Sequence, residues 1–414
     1  MTDFKKVFIH RNSNIKPVNL RLVSSKSESN RALIISALAE TEGRLENLSE
    51  ARDTQTMKRL LNTQEQTWDV LDAGTTMRFL TAFAAVKGYN KVLTGTPRMQ
   101  ERPIKILVDA LRELGVEIEY HHKDGYPPHE IKGFVSQKKR QIQIRGDVSS
   151  QYISALCMIS PMLPQGIELE LTGKISSRPY IEMTLALMKK FGADVHFNEN
   201  IITVEPKKYS TGTYTIESDW SGASYWFSVV ALAEKAELKL MGLREDSLQG
   251  DIATVRIMDQ LGVKAVFDKE GAVLTKKMVH FNGRLDFSQC PDLAQTICVT
   301  LAAKGLASDM VGLESLRIKE TDRIAALQIE LAKMGARLEE ISNSEWKLIP
   351  PTKQFSQMEN LSIHTYEDHR MAMAFAPLAT ISDLTIDDPA VVNKSYPSYW
   401  KDFEKAGFKL EFES

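Results

Sequence analysis

The chain predicts an α/β fold built from repeated units, with helices packed inside or beside mixed sheets. Three observations carry this reading. First, a helix-like stretch ending in glycine and then running into a short strand recurs along the chain. The copies lie at 107–120, 185–197, 257–267, 327–338 and 400–412. Their glycines, at 115, 192, 262, 335 and 407, stand 77, 70, 73 and 72 residues apart. A glycine there fits a helix C-terminus, where a positive φ is needed, and such regularity marks a repeated unit. Second, 414 residues exceed one ordinary core, so two or three domains are expected. Third, the strand-like segments at 116–120, 141–144, 167–171, 237–240 and 361–364 mostly lack the long spacing of a doubly wound parallel sheet, which favours mixed sheets. A degenerate copy without its glycine is expected at 57–70, and the stretch 218–223 is the expected crossing between halves.

The bulk numbers exclude several classes. Hydrophobic content of 43% and charged content of 26% are globular values. A net charge of -2 disfavours nucleic acid, although local sites for small anions stay open. No apolar run is long enough to span a bilayer, and the N-terminal residues lack a signal peptide's apolar core. Cys157, Cys290 and Cys298 are odd in number and lie in apolar contexts. They are expected to be free, buried thiols of a reducing cytoplasm. No Cys or His pair has metal-ligand spacing, so no metal is expected.

Taken in order, the elements carry clusters of polar groups at their ends. Ser24-Ser25-Lys26-Ser27-Glu28-Ser29-Asn30-Arg31 precedes an apolar helix at 32–39. Ser25 and Glu28 have capping-box spacing, and Lys26, Ser27 and Arg31 add anion donors to the helix entry. Asp72-Ala73-Gly74-Thr75-Thr76-Met77-Arg78 opens another apolar helix. Gly74 lets a ligand approach backbone N–H groups, while Arg78 needs a partner, for which a structural salt bridge is the simple reading. The turn-rich stretch Thr94-Gly95-Thr96-Pro97-Arg98-Met99-Gln100-Glu101-Arg102-Pro103 precedes a helix starting near Ile104, and Arg102 is held extended by the proline. Ser149-Ser150-Gln151 opens the helix at 153–159, with one serine expected as its cap. Ser176-Ser177-Arg178-Pro179-Tyr180 repeats the theme before 181–188.

The second half repeats the pattern. Cys290-Pro291-Asp292 opens a helix with an acid. Leu316-Arg317-Ile318-Lys319-Glu320-Thr321-Asp322-Arg323-Ile324 is the most charged of these stretches, and a helix is expected to begin at Glu320 or Thr321. The dipole at such a start favours an anion, and a guanidinium beside it can grip a carboxylate or phosphate with paired bonds. Tyr366-Glu367-Asp368-His369-Arg370-Met371 and Asn393-Lys394-Ser395-Tyr396-Pro397 complete the set. Taken alone, the 316–324 stretch reads better as a solvated, self-paired helix entry, and what shifts the balance is that several more such clusters stand at strand or helix ends.

Together and in this order, the clusters resemble the enolpyruvyl transferase family, most closely its shikimate 3-phosphate branch. The matching motifs run from Ser25-Lys26-Ser27 to Lys394 and cover nearly the whole chain. The resemblance implies two similar domains, each of three βαβαββ-type units with helices inside mixed sheets, an inside-out α/β barrel. One domain would comprise 1–19 plus 218–414 and carry the phosphoenolpyruvate carboxylate. The other, 20–217, would carry shikimate 3-phosphate. The implied activity moves the enolpyruvyl group of phosphoenolpyruvate to the 5-hydroxyl of shikimate 3-phosphate, with no metal or organic cofactor, in a cytoplasmic monomer. By resemblance, Lys26, Ser27, Arg31, Ser149, Ser150, Gln151, Ser177, Tyr180, Asp292 and Lys319 hold shikimate 3-phosphate. Lys26, Gly74, Arg102, Gln151, Arg323, Arg370 and Lys394 surround phosphoenolpyruvate. Asp292 would take the hydroxyl proton and Glu320 would exchange one with the methylene carbon, with Lys26 and Lys394 sharing the charge work.

The chain departs from the family pattern at Val23-Ser24, which replaces Pro-Gly, at Asp72 and Ser315, which each replace Asn, and at Phe79. Gly74 matches the form in which the herbicide glyphosate fits the phosphoenolpyruvate site. The sister branch acting on UDP-N-acetylglucosamine relies on a loop cysteine, and no cysteine here lies in such a loop. A non-catalytic anion-binding relative would be expected to have lost Lys26, Asp292 or Glu320, and all three are present.

Overall fold

All five glycines that were expected to end helices have positive φ: 110° at Gly115, 85° at Gly192, 95° at Gly262, 74° at Gly335 and 95° at Gly407. At Gly115 the need is steric as well, since a Cβ would sit 2.4 Å from the Ser136 carbonyl oxygen. The computed structural model describes residues 4–39, 43–210, 212–352 and 361–414. The chain divides into two units, one of Met1–Val23 with Glu217–Ser414 and the other of Ser24–Ile216. The strand Asn14–Arg21 runs through the expected edge at 19–20 and pairs in parallel with Lys235–Met241, which keeps it in the first unit.

Each unit repeats one motif. In the Ser24–Ile216 unit, Gln141–Arg145 is followed by helix Ser150–Ile159, strand Ile167–Thr172, helix Arg178–Lys190, and the hairpin Val195–Asn198 with Ile201–Val204. The first two strands pair in parallel and the other contacts are antiparallel. That is a βαβαββ unit closing a four-stranded mixed sheet. Thr67–Asp69 to His129–Phe134 repeats it with the same pairing. Arg284–Asp286 to Glu345–Ile349 repeats it in the other unit. A further sheet there is closed by Lys6–Ile9, which lies between Leu384–Asp387 and Leu410–Glu413.

The inner helices are the ones whose sequences are apolar on every face. In the unit that holds the termini, Trp220–Leu232, Ala294–Ala303 and His369–Phe375 pack against one another, and every residue of the last is buried. Their few hydroxyls pair across the contact, Ser228 with Thr300 at 2.8 Å and Ser224 with Thr296 at 3.3 Å. These pairings satisfy hydroxyls that would otherwise be buried without a partner, in a core where each buried Leu or Ile contributes about 1.5–3 kcal/mol. The repeat helices instead have one polar side, as in Lys105–Leu114 and Arg323–Lys333. Among the described residues no helix is long and apolar enough to cross a membrane.

Three local expectations change. The helix expected from Glu320 or Thr321 starts at Arg323, because Asp322 is the better cap: its Oδ1 accepts from the N–H groups of both Ile324 and Ala325. The degenerate copy at 57–70 combines the end of helix Arg52–Leu61 with Thr67–Asp69, which opens the next unit. The stretch read as a turn-rich loop contains the short helix Pro97–Gln100, capped by Thr96.

Candidate functional site

In the unit that holds the termini, six of the expected site residues form one ion-pair cluster. Arg323 begins its helix and lies at the centre. Its Nη1 is 3.1 Å from Asp292 Oδ1, its Nη2 donates to Glu320 at 2.8 Å, and its Nε donates to Asp368 at 2.6 Å. Arg370 Nη2 donates to Asp292 Oδ2 at 3.0 Å, and its Nη1 reaches the Tyr225 hydroxyl at 3.3 Å. Lys319 lies 3.6 Å from Asp292, and Lys394 lies 3.5 Å from Glu320. Four cations thus face three carboxylates. Exposure rises across the cluster, from side chains at 0% for Asp368 and 2% for Arg323 to 19% for Asp292 and 29% for Lys319. Its dry edge is an anchor and its open edge is where a ligand can arrive.

The elements explain these positions. Asp368 caps helix His369–Phe375, accepting from Arg370 N at 2.8 Å, so the carboxylate that holds Arg323 also starts the helix that presents Arg370. Asp292 sits in the one-turn helix Pro291–Leu293, ahead of Ala294–Ala303. Burial opposes its ionisation, but Arg370, Lys319 and Arg323 together outweigh burial and hold the carboxyl well below the usual carboxylate range. Asp292 is therefore an anion near neutral pH. Burial pushes the Tyr225 hydroxyl up to about 12, so it stays a neutral partner.

In the Ser24–Ile216 unit, the residues form two neighbourhoods joined by helix Lys26–Leu38. Ser25 caps this helix by accepting from Glu28 N. Lys26 Nζ lies 3.1 Å from Asp53, whose carbonyl accepts from the Thr76 hydroxyl at 3.2 Å. Thr76 belongs to helix Gly74–Val86, whose Thr75 accepts from Gln151 Nε2 at 3.0 Å. A Cβ on Gly74 would lie 2.8 Å from both terminal nitrogens of Arg102. Lys26, Gly74, Arg102 and Gln151 are thus brought together. The second neighbourhood is centred on Arg31. Its Nε donates to Thr184 at 2.6 Å and its Nη1 to the Ser27 carbonyl at 2.8 Å, and its Nη2 lies 3.4 Å from the Tyr180 carbonyl. Burial lowers its pKa to about 10, with Tyr180 and Glu28 opposing, which leaves it charged near neutral pH.

The remaining expected residues stand at helix entries. Ser149 is the cap, its Oγ 3.4 Å from Gln151 N, and Ser150 is the first helical residue. Ser177 precedes Arg178–Lys190 with φ at 53° and makes no capping bond with its side chain. Among the described residues Arg78 has no salt bridge with a carboxylate, contrary to the simple reading. It donates to the carbonyls of Gly74 at 2.9 Å and Pro103 at 3.2 Å, which ties the Gly74 turn to the Arg102 turn. Asp72 makes a two-bond pair with Arg52, at 2.9 and 2.8 Å.

Asp53, Asp368, Tyr225 and Thr184 belong to these networks and were not named as site residues. Asp368 had a signal, since it stands in a motif between Tyr366 and Arg370. Asp53, Tyr225 and Thr184 had none, because their contacts join residues far apart in sequence. The three thiols are free and buried, each pushed up to about 12 by burial. Among the described residues, no three His, Cys, Asp or Glu side chains are grouped to hold a metal ion.

Comparison with known proteins follows the same lines. The family model of EPSP synthase (3-phosphoshikimate 1-carboxyvinyltransferase) matches residues 15–68 and 58–403. The chain is 47% identical over 405 residues to the 3-phosphoshikimate 1-carboxyvinyltransferase of Bacteroides fragilis strain YCH46, covering 96% of this chain and 97% of the relative. It is 36% identical over 423 residues to that of Histophilus somni strain 2336, covering 93% and 95%. A solved EPSP synthase from Acinetobacter baumannii has the same fold, with a TM-score of 0.82, coverage of 99% and 100%, and 18% identity. The chain belongs to the EPSP synthase (3-phosphoshikimate 1-carboxyvinyltransferase) family.

Proposed function

We propose that the chain transfers the enolpyruvyl group of phosphoenolpyruvate to the 5-hydroxyl of shikimate 3-phosphate, yielding 5-enolpyruvylshikimate 3-phosphate and phosphate, on the path to chorismate and the aromatic amino acids. The observation that carries this reading is the buried cluster of Arg323, Arg370, Lys319 and Lys394 against Asp292, Glu320 and Asp368, within this family's chain. The substrates bring two phosphates and two carboxylates, and fixed cations stabilise such charge without reorganising.

The chemistry assigns roles to the open edge of the cluster. The hydroxyl oxygen bonds to C2 of phosphoenolpyruvate, its proton leaves to a base, and C3 gains a proton. Loss of phosphate from C2 and of a proton from C3 then restores the double bond. Asp292, held ionised, is assigned the hydroxyl proton, and Glu320 with Lys394 the proton exchange at C3. Arg323, Arg370 and Lys394, with Lys26, Gly74, Arg102 and Gln151, are assigned to phosphoenolpyruvate. Lys26, Ser27, Arg31, Ser149, Ser150, Gln151, Ser177, Tyr180, Asp292 and Lys319 are assigned to shikimate 3-phosphate. In this reading the unit with the chain termini carries the phosphoenolpyruvate carboxylate and the Ser24–Ile216 unit carries shikimate 3-phosphate. The enzyme acts as a cytoplasmic monomer without metal or organic cofactor.

The test is phosphate release from phosphoenolpyruvate with each acceptor offered in turn. Release with shikimate 3-phosphate and none with UDP-N-acetylglucosamine is expected. The opposite preference, or no release with either, refutes the proposal.

A further inference from the structure

The segment before Asp368 is strained. Tyr366 and Glu367 have φ values of 54° and 56°, two successive residues in the left-handed region, and neither is glycine. L-residues other than glycine, Asn and Asp rarely adopt this conformation even singly. Such a pair persists only where the surroundings over-determine it.

Two clamps do so, and both stand on helix Arg323–Lys333. Arg323 and Glu330 are seven residues apart, close to two full turns, and share one face. At one end Arg323 grips Asp368 at 2.6 Å. At the other, Glu330 is fully buried and accepts from the Tyr366 hydroxyl at 2.8 Å and from His364 N at 3.2 Å, with Lys333 at 2.7 Å balancing its charge. The ring of Tyr366 also packs edge-on against His364, with centroids 4.6 Å apart. The strained pair therefore lies between two fixed points, and its second residue leads directly into Asp368.

We propose that Tyr366 and Glu330 are positioning residues: they lock the left-handed turn at Tyr366-Glu367, which aims the Asp368 carboxylate and, through it, Arg323 and Arg370. This rests on the reading of those arginines as phosphoenolpyruvate-binding groups. A turn that served only to connect strand Leu361–Ile363 to helix His369–Phe375 could be filled by glycine at no strain. Here the strain is retained one residue before the carboxylate on which the cluster is anchored.

Two variants test this. Tyr366→Phe removes the hydroxyl that Glu330 holds. Glu367→Gly removes the strain and the restriction together. For both, the KM for phosphoenolpyruvate should rise about five- to tenfold while kcat stays within about twofold, the signature of lost substrate positioning. Hydrogen exchange at the Arg370 amide, which donates to Asp368, should quicken about tenfold or more as that bond loosens. Glu367→Gly should do this with Tm unchanged or raised, which a merely structural turn would not show. Wild-type KM and wild-type Arg370 amide protection in both variants would overturn the proposal, as would a fall in Tm with KM unchanged. Wild-type turnover measured alongside checks the functional reading separately. Its absence refutes that reading, while the Arg370 amide still decides whether the turn fixes Asp368.

Discussion

Replacing Asp292 with Asn keeps the side chain's shape and removes one charge. In the native cluster this carboxylate is shared by Arg323 at 3.1 Å, Arg370 at 3.0 Å and Lys319 at 3.6 Å. The variant leaves four cations against only Glu320 and Asp368. Breaking a buried pair from one side costs about 3–5 kcal/mol, and the partial exposure of Asp292 puts the expected loss near the lower end, about 3 kcal/mol. For a folding unit of this size, about 2–4 °C per kcal/mol gives a fall in Tm of about 6–12 °C. The native pKa is depressed, so the difference between wild type and variant is complete above the unfolded carboxyl's value of about 3.9 and shrinks as pH falls below it. Scanning calorimetry of both proteins from about pH 7 down to pH 3 reads this directly. In the phosphate-release assay, loss of a general base should lower kcat about 10²–10⁴-fold. A variant as stable as wild type near neutrality, or a difference in Tm that does not change with pH, would show that the three cations do not stabilise Asp292 as argued. Wild-type kcat would remove it from the proton path.

Other substitutions separate the remaining roles. Arg323→Ala should mainly raise the KM for phosphoenolpyruvate, about 10²-fold, whereas Glu320→Ala should mainly lower kcat by a similar factor, and steady-state kinetics with both substrates varied distinguishes the two. Gly74→Ala places a methyl group 2.7 Å from Arg78 Nη1 and 2.8 Å from both Arg102 terminal nitrogens. Arg78 is held by two carbonyls, so Arg102 must give way, and the KM for phosphoenolpyruvate should rise about tenfold. Glyphosate inhibition should weaken by more than that, and an equal loss of both would refute the fit. Asp53→Asn leaves Lys26 without its 3.1 Å carboxylate partner and should raise KM for both substrates about three- to tenfold, read from the same kinetics.

What was legible in the sequence has a physical pattern. The helix-ending glycines could be read because a positive φ is a property of one residue's own backbone. The charged helix entries could be read because several ionisable groups at element ends are visible in one dimension. Burial is not visible in this way. Asp368 stands among four polar neighbours, Tyr366, Glu367, His369 and Arg370, and looks like part of a solvated entry, yet its side chain is fully buried. Asp53 is 27 residues from the Lys26 that it holds, and Thr184 is 153 residues from Arg31, so neither pairing leaves a local trace. The helix entry at Asp322 was placed one or two residues early because Thr321 and Glu320 also suit a helix start, and only the two N–H bonds to Asp322 decide between them. Helix Pro97–Gln100 is too short to show any periodicity. The left-handed pair Tyr366-Glu367 is invisible for the opposite reason to the glycines, since its residue types argue against the conformation it adopts.

The order of exposure in the cluster explains how so many charges can be held ready before any substrate is present. Four unpaired cations in a closed site would repel one another and be costly to desolvate. Here each has a carboxylate, but the carboxylates are not equivalent. Asp368 is fully buried and bonded to Arg323 and to the Arg370 backbone. Its task is to fix direction. Asp292 and Glu320 lie at the wetter edge, sharing the same cations from the other side. In the proposed function, an incoming phosphate or carboxylate would compete with these two for Arg323, Arg370, Lys319 and Lys394, and would weaken their grip on the acids as it binds. Losing cation contacts raises a carboxyl's proton affinity. In the proposed function, binding the anionic substrate would thus turn Asp292 from a charge-balancing group into one able to take a proton, at the moment when the hydroxyl must lose one. The fixed anchor is what makes this exchange possible, because the arginines keep their aim while their outer partners change.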